Sequence, residues 1–114
     1  SINELIAEKI RSLIQQLPEN RDRRRRQDVY DIYRLLSLHT ISEDQRAVIH
    51  KILLNKCSTR NITIDRDTLK NPEIATRAKA DWETMELEIG DLPSFEVCFD
   101  QVLDLYASLP WSAA

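Results

Sequence analysis

The sequence predicts an all-α chain, a single helical bundle of about five helices, and three observations lead there. Apolar residues recur at i, i+3 and i+4 along most of the chain, the rhythm of a helix with one buried face. The only glycine, Gly90, and the prolines Pro18, Pro72, Pro93 and Pro110 stand where those stretches stop or start. Strand-like alternation is limited to Ile62, Thr63 and Ile64.

The first helix runs from Ile2 to Leu17, with Ile2, Leu5, Ile6, Ile10, Leu13, Ile14 and Leu17 on its apolar stripe. Lys9 breaks the rhythm: four residues from both Leu5 and Leu13, its side chain leaves from the stripe itself. An ammonium buried without a partner costs several kcal/mol. Lys9 therefore either snorkels to the rim or meets an anion, with Asp28 or a bound phosphate as candidate partners. Pro18 ends this helix, and PENRDRRRR reads as an exposed loop.

The stretch RRRRQDVYDIYRLL opens the second helix. At about 100° per residue, Val29, Ile32, Tyr33 and Leu36 share a face with Tyr30 and Leu35 on its flanks. Asp28 lies at the edge of that stripe near the helix start, where it can cap free N–H groups, bind a cation or orient an arginine. Asp31 points further out. Ser42 with Gln45 forms a capping box for a third helix, whose face is Val48, Ile49, Ile52, Leu53 and Cys57. Asp65 and Asp67 resemble a metal-binding pair, but Thr68 and Leu69 favour a short helical turn capped by these aspartates. Asn71 and Pro72 start a fourth long helix with Ile74, Ala78, Trp82, Met85 and Ile89 inward, stopped by Gly90. The last helix follows Ser94, buries Cys98, Val102, Leu105, Tyr106 and Leu109, and ends at Pro110-Trp111.

A net charge of −3 conceals a polar distribution. Residues 1–40 sum to +2 and residues 41–80 to +3, whereas residues 81–114 carry eight carboxylates, no Lys or Arg, and sum to −8. Such a chain either presents opposite faces to partners or pairs its two ends internally. Five arginines between Arg21 and Arg26 ask for an opposing anion, without the aromatic interleaving of a single-strand RNA surface. Cys57 and Cys98 have neither CxxC nor Cys/His spacing, so a reducing cytoplasm is expected. No run reaches membrane-spanning length, and no membrane association is expected. His39 and His50 lack a second ligand at metal-binding spacing. A single glycine excludes phosphate-binding glycine loops, and the chain by itself does not read as a complete enzyme. It begins with Ser1, which suggests a trimmed product or a piece of something longer.

The ordered series ELIAEKIRSLIQ, RRRRQDVYDIYRLL, LLNKCSTRNITIDRDTLKNPEI, ADWETMELEIGDLPSF and SLPW resembles the C-terminal half of the AbiEii-type abortive-infection nucleotidyltransferase toxins, across essentially residues 1–114. The resemblance implies a helical half that closes over a nucleotide site whose Gly-Ser turn and metal-binding aspartates belong to a missing N-terminal half. It implies Lys9 in AEKI and Asp28 in QDVYD as catalytic residues, with Arg26 and Asp31 as nucleotide-binding residues. It further implies Mg²⁺ and an NTP for the full protein, none held by this fragment alone, an RNA acceptor, and a cognate antitoxin. The family often carries Arg just before the aspartate matching Asp28; Gln27 stands there. The alternative from the residues alone is a non-catalytic helical module whose basic half docks an acidic protein or nucleic acid.

Overall fold

The computed structural model describes residues 1–18 and 25–112. Among these there are six α-helices and no strand: α1 (Ile2–Gln15), α2 (Arg26–Leu38), α3 (Glu43–Ser58), α4 (Pro72–Lys79), α5 (Glu86–Ile89) and α6 (Phe95–Ala107). Two 3-10 turns, Thr68–Lys70 and Trp82–Met85, precede α4 and α5.

Helix starts follow the side chains that sequence places there. Ser1 Oγ accepts from Glu4 N at 3.3 Å, and Asn71 Oδ1 from Glu73 N at 3.0 Å with Pro72 in the first turn. Ser94 Oγ accepts from Val97 N at 3.2 Å, while Ser42 and Gln45 close a full capping box, both bonds 3.1 Å. Gly90 stops α5 at φ 84°, a conformation costly for any residue with a Cβ.

α1 is the central helix. It packs against α2, α3 and α4, and α2 in turn packs on α6. Neighbours on several sides bury more of α1 than its stripe: Ile6, Ala7, Ile10 and Leu13 are fully enclosed, and Ser12, Gln15 and Gln16 are buried with them. Two stripe members fall outside the cover their neighbours provide. Leu5 is 44% exposed and Val48 on α3 is 45% exposed. The rest of the α3 face holds, with Ile49, Leu53 and Cys57 at zero exposure.

The fourth helix differs from expectation. It breaks after Lys79, because Asp81 adopts the left-handed conformation at φ 58° and the chain restarts as Trp82–Met85. Thr84 fastens the restart, its N–H and hydroxyl both donating to Asp81 O. The redirected chain delivers Trp82 to the core, where its ring meets Phe95 edge-on at 5.3 Å and its Nε1 donates to Pro93 O at 3.0 Å.

The C-terminal LPW folds back on the bundle. Trp111 Nε1 donates to Tyr106 O at 2.7 Å, and its ring meets His50 of α3 edge-on at 4.5 Å. Tyr106 OH donates to Asp65 O at 2.6 Å, tying α6 to the loop before α4.

Burial pushes the Cys98 thiol up to about 11 and raises Tyr106 and Cys57 as well. These acids hold their protons more tightly folded than unfolded. Their contribution is therefore constant below the unfolded thiol value near 9 and is lost as pH climbs through the folded values. Melting temperature is expected to fall from about pH 9 upward. Cys98→Ala should flatten the part of that slope between pH 9 and about 11; an unchanged slope would show that Cys98 does not hold its proton in the fold.

Candidate functional site

Lys9 meets anions instead of snorkelling. α1 projects it between the fully buried Ile6 and Ile10, and α2 places Asp28 and Asp31 opposite, one turn apart. Lys9 Nζ lies 2.9 Å from Asp31 Oδ2 and 3.5 Å from Asp28 Oδ1. Only 18% of the Lys9 side chain and 16% of that of Asp28 remain exposed, so these two are largely shielded from water, while a third of the Asp31 side chain faces it.

Each carboxylate has a helper from α2 or its entry. Arg25 Nη1 lies 3.5 Å from Asp28 Oδ2, and Gln27 Nε2 donates to Asp31 Oδ1 at 2.8 Å. The cluster of Lys9, Arg25, Asp28 and Asp31 is formally neutral. Asp28 makes no cap: α2 has Arg25 at its N-cap and no side-chain capping bond, and Asp28 instead faces the cations Lys9 and Arg25.

Burial alone would pull Lys9 down, and it is the largest single influence. The hydrogen bond and charge of Asp31, with the charge and hydrogen bond of Asp28, together outweigh it, so Lys9 sits above the ordinary lysine value. Around Asp28 burial is again the largest influence and here it prevails over Lys9 and Arg25, with Asp31 adding to it. Its carboxyl is raised. Lys9 is thus a permanent cation facing one carboxylate that takes a proton more readily than an exposed aspartate.

Arg26 is not drawn into this cluster. It borders a pocket of about 180 Å³ with Gln27, Thr84, Met85 and Glu88, where the basic start of α2 faces the acidic segment. That placement favours internal pairing of the two ends of the chain. Arg21, Arg23 and Arg24, the rest of the arginine run, lie outside the described residues. A cleft of about 660 Å³ lined by Leu17, Ile62, Lys70 and Ile74 lies elsewhere and includes neither Lys9 nor its aspartates.

The other chemistry-bearing groups serve the fold. Asp65 Oδ1 accepts from Asp67 N at 2.9 Å and from Thr68 Oγ1, while Asp67 pairs with Lys70 at 3.4 Å. His39 is exposed at the end of α2 and His50 is lowered by burial beside Trp111. Reasoning from sequence missed Arg25 and Gln27 as supports, although their spacings to Asp28 and Asp31, i+3 and i+4, are those of helical neighbours. It also missed Glu8, which joins α1 to α3 through Lys56 at 2.9 Å and bonds Arg11 within α1.

Comparison with known families completes the description. The family described as nucleotidyl transferase AbiEii toxin, type IV TA system, matches residues 1–102, about nine-tenths of the chain. The chain belongs to this family. The AbiEii match takes in α1, α2 and the whole Lys9 cluster, and continues into α6. No curated protein and no solved structure matches. Membership of the AbiEii toxins makes this a nucleotidyltransferase-like toxin domain, and a toxin–antitoxin system points to an antitoxin as partner. Among the described residues no helix is long and apolar enough to cross a membrane.

Proposed function

We propose that residues 1–114 form the helical C-terminal domain of an AbiEii-type nucleotidyltransferase toxin and complete its NTP site with Lys9 and Asp28. The single observation that carries this reading is the Lys9 cluster: a charged lysine rooted in the core of α1 and presented to two carboxylates of α2. A cation fixed in a poorly hydrated place acts strongly on charge that develops during in-line displacement at a phosphate. Lys9 serves that role, and Asp28 is the partner carboxylate of the lysine or of a nearby base. Arg26 and Asp31 lie one on each side of Asp28 in sequence at the start of α2, and in this reading they contact the nucleotide.

Among the described residues no three His, Cys, Asp or Glu side chains converge to hold a metal ion. The described residues do not by themselves make a Mg²⁺ site. Its ligands, the Gly-Ser turn and the rest of the NTP pocket belong in this reading to an N-terminal half. The full protein then transfers a nucleotidyl group to an acceptor, with RNA as the candidate, acts in the cytoplasm, and is restrained by a cognate antitoxin.

Titration of the chain with Mg²⁺-ATP, -GTP, -CTP and -UTP, alone and with the N-terminal half added, tests the reading by NMR. Amide shifts at Lys9, Arg26, Asp28 and Asp31 that appear or strengthen with the second half are expected. Shifts that persist undiminished in Lys9→Met would place nucleotide elsewhere and sink the assignment.

A further inference from the structure

The two aspartates that meet Lys9 are not equivalent. Asp31 uses both carboxylate oxygens in short bonds: Oδ2 takes the Lys9 ammonium at 2.9 Å and Oδ1 takes Gln27 Nε2 at 2.8 Å. A carboxylate held at both oxygens is restricted in its plane, and the Gln27 half of that hold comes from one helical turn earlier on α2 itself. Asp28 has no such hold. Its Oδ1 is 3.5 Å from Lys9 and its Oδ2 is 3.5 Å from Arg25, both at the outer limit of a hydrogen bond.

We propose that Asp31, oriented by Gln27, is the positioning residue that fixes Lys9, while Asp28 is the carboxylate able to release it when a phosphate oxygen arrives. The proposal deepens the nucleotide-site reading and rests on that reading for its purpose, though not for its geometry. An ammonium has three donors. One is committed to Asp31, and a second points at Asp28 across a long contact that an incoming anion can replace. Asp28 then has Arg25 as its remaining cation, already at 3.5 Å. Lys9 thus exchanges one carboxylate for a phosphate oxygen and keeps its place. If both aspartates held it equally, an arriving anion would have to break a short charge-assisted bond first. The Gln27 side-chain amide donates to Asp31 and acts on Lys9 through that carboxylate.

The test follows the Lys9 side chain by ¹³Cε and ¹⁵Nζ NMR through an alkaline titration of the intact chain, with amide spectra confirming the fold of each variant. Asp31→Asn is expected to lower the Lys9 midpoint by about one unit, a tenfold loss of proton affinity, and Asp28→Asn by roughly a third of that or less. Gln27→Met should give an intermediate drop, and Gln27→Asn, which keeps a neutral amide donor one methylene shorter, should fall between Gln27→Met and the parent. An Asp28→Asn effect equal to or larger than that of Asp31→Asn overturns the proposal, as does a Gln27→Met midpoint identical to that of the parent. Should Asp31→Asn fail to fold, the Gln27 pair still decides. Inorganic tripolyphosphate supplies the second arm. On its addition the Asp28 carboxyl carbon should shift and that of Asp31 stay; equal shifts at both would refute the division of roles. Absence of tripolyphosphate binding both by the chain alone and with the N-terminal half added, with the midpoints in the expected order, would count against the nucleotide-site reading and leave the Gln27–Asp31 fixture standing.

Discussion

Lys9→Met is expected to abolish nucleotidyl transfer by the full-length protein, a loss of at least about a hundredfold, while this chain still folds. The methionine fills the space of the lysine stem among Ile6 and Ile10, so no cavity opens. What it leaves behind are two carboxylates on α2, with Arg25 3.5 Å from Asp28. Complete burial of an uncompensated charge costs about 3–5 kcal/mol, but with a third of the Asp31 side chain exposed to water about 1–2 kcal/mol is the expected loss near pH 7. Removing the cation also raises the Asp28 carboxyl further above its unfolded value. A raised carboxyl favours the protonated fold, so the penalty is present above the unfolded value near 4 and is relieved as pH falls towards it. Thermal melts of parent and variant should therefore converge on acidification. A variant that melts alike at pH 7 but loses activity would show Lys9 held purely for chemistry; one that unfolds outright, or retains full activity, would remove it from the catalytic site.

Trp82→Ala is expected to be the most damaging truncation outside the site, at about 3–5 kcal/mol, a large part of the stability of an ordinary domain. The reason lies in the break between α4 and α5. Trp82 is 4% exposed, meets Phe95 edge-on, and ties its segment to Pro93 through Nε1. Phe95 stacks in turn on Phe99 of α6 at 5.1 Å, so the indole is the first plate of an aromatic stack that holds the acidic segment to the bundle. Trp82→Phe should recover most of the loss and leave about 1 kcal/mol, the part belonging to the hydrogen bond. Denaturant unfolding would measure both, and a Trp82→Ala loss below about 1 kcal/mol would mean that residues 82–93 contribute little to the cooperative core.

The sequence determined that the chain would be helical and where most helices would begin. Ser42 with Gln45, Asn71 with Pro72, Ser94 and Gly90 act through bonds and dihedrals spanning a few residues, and all four fall where the pattern put them. It also determined that Lys9 was out of place, since a cation within an apolar stripe is a conflict visible without coordinates. Only the tertiary structure decided how that conflict resolves. Asp31 points away from the stripe when α2 is drawn alone, yet it is the nearer partner, because a lysine stem reaches past the helix surface and the packing of α1 on α2 sets which carboxylate it finds. The same holds for the break at Asp81. Ile74, Ala78, Trp82, Met85 and Ile89 keep a helical spacing that periodicity cannot tell from one continuous helix, and the chain turns there to bring Trp82 against Phe95. Local forces act between residues a turn apart and are written in the sequence order; the choice among partners on different helices belongs to the core they build together.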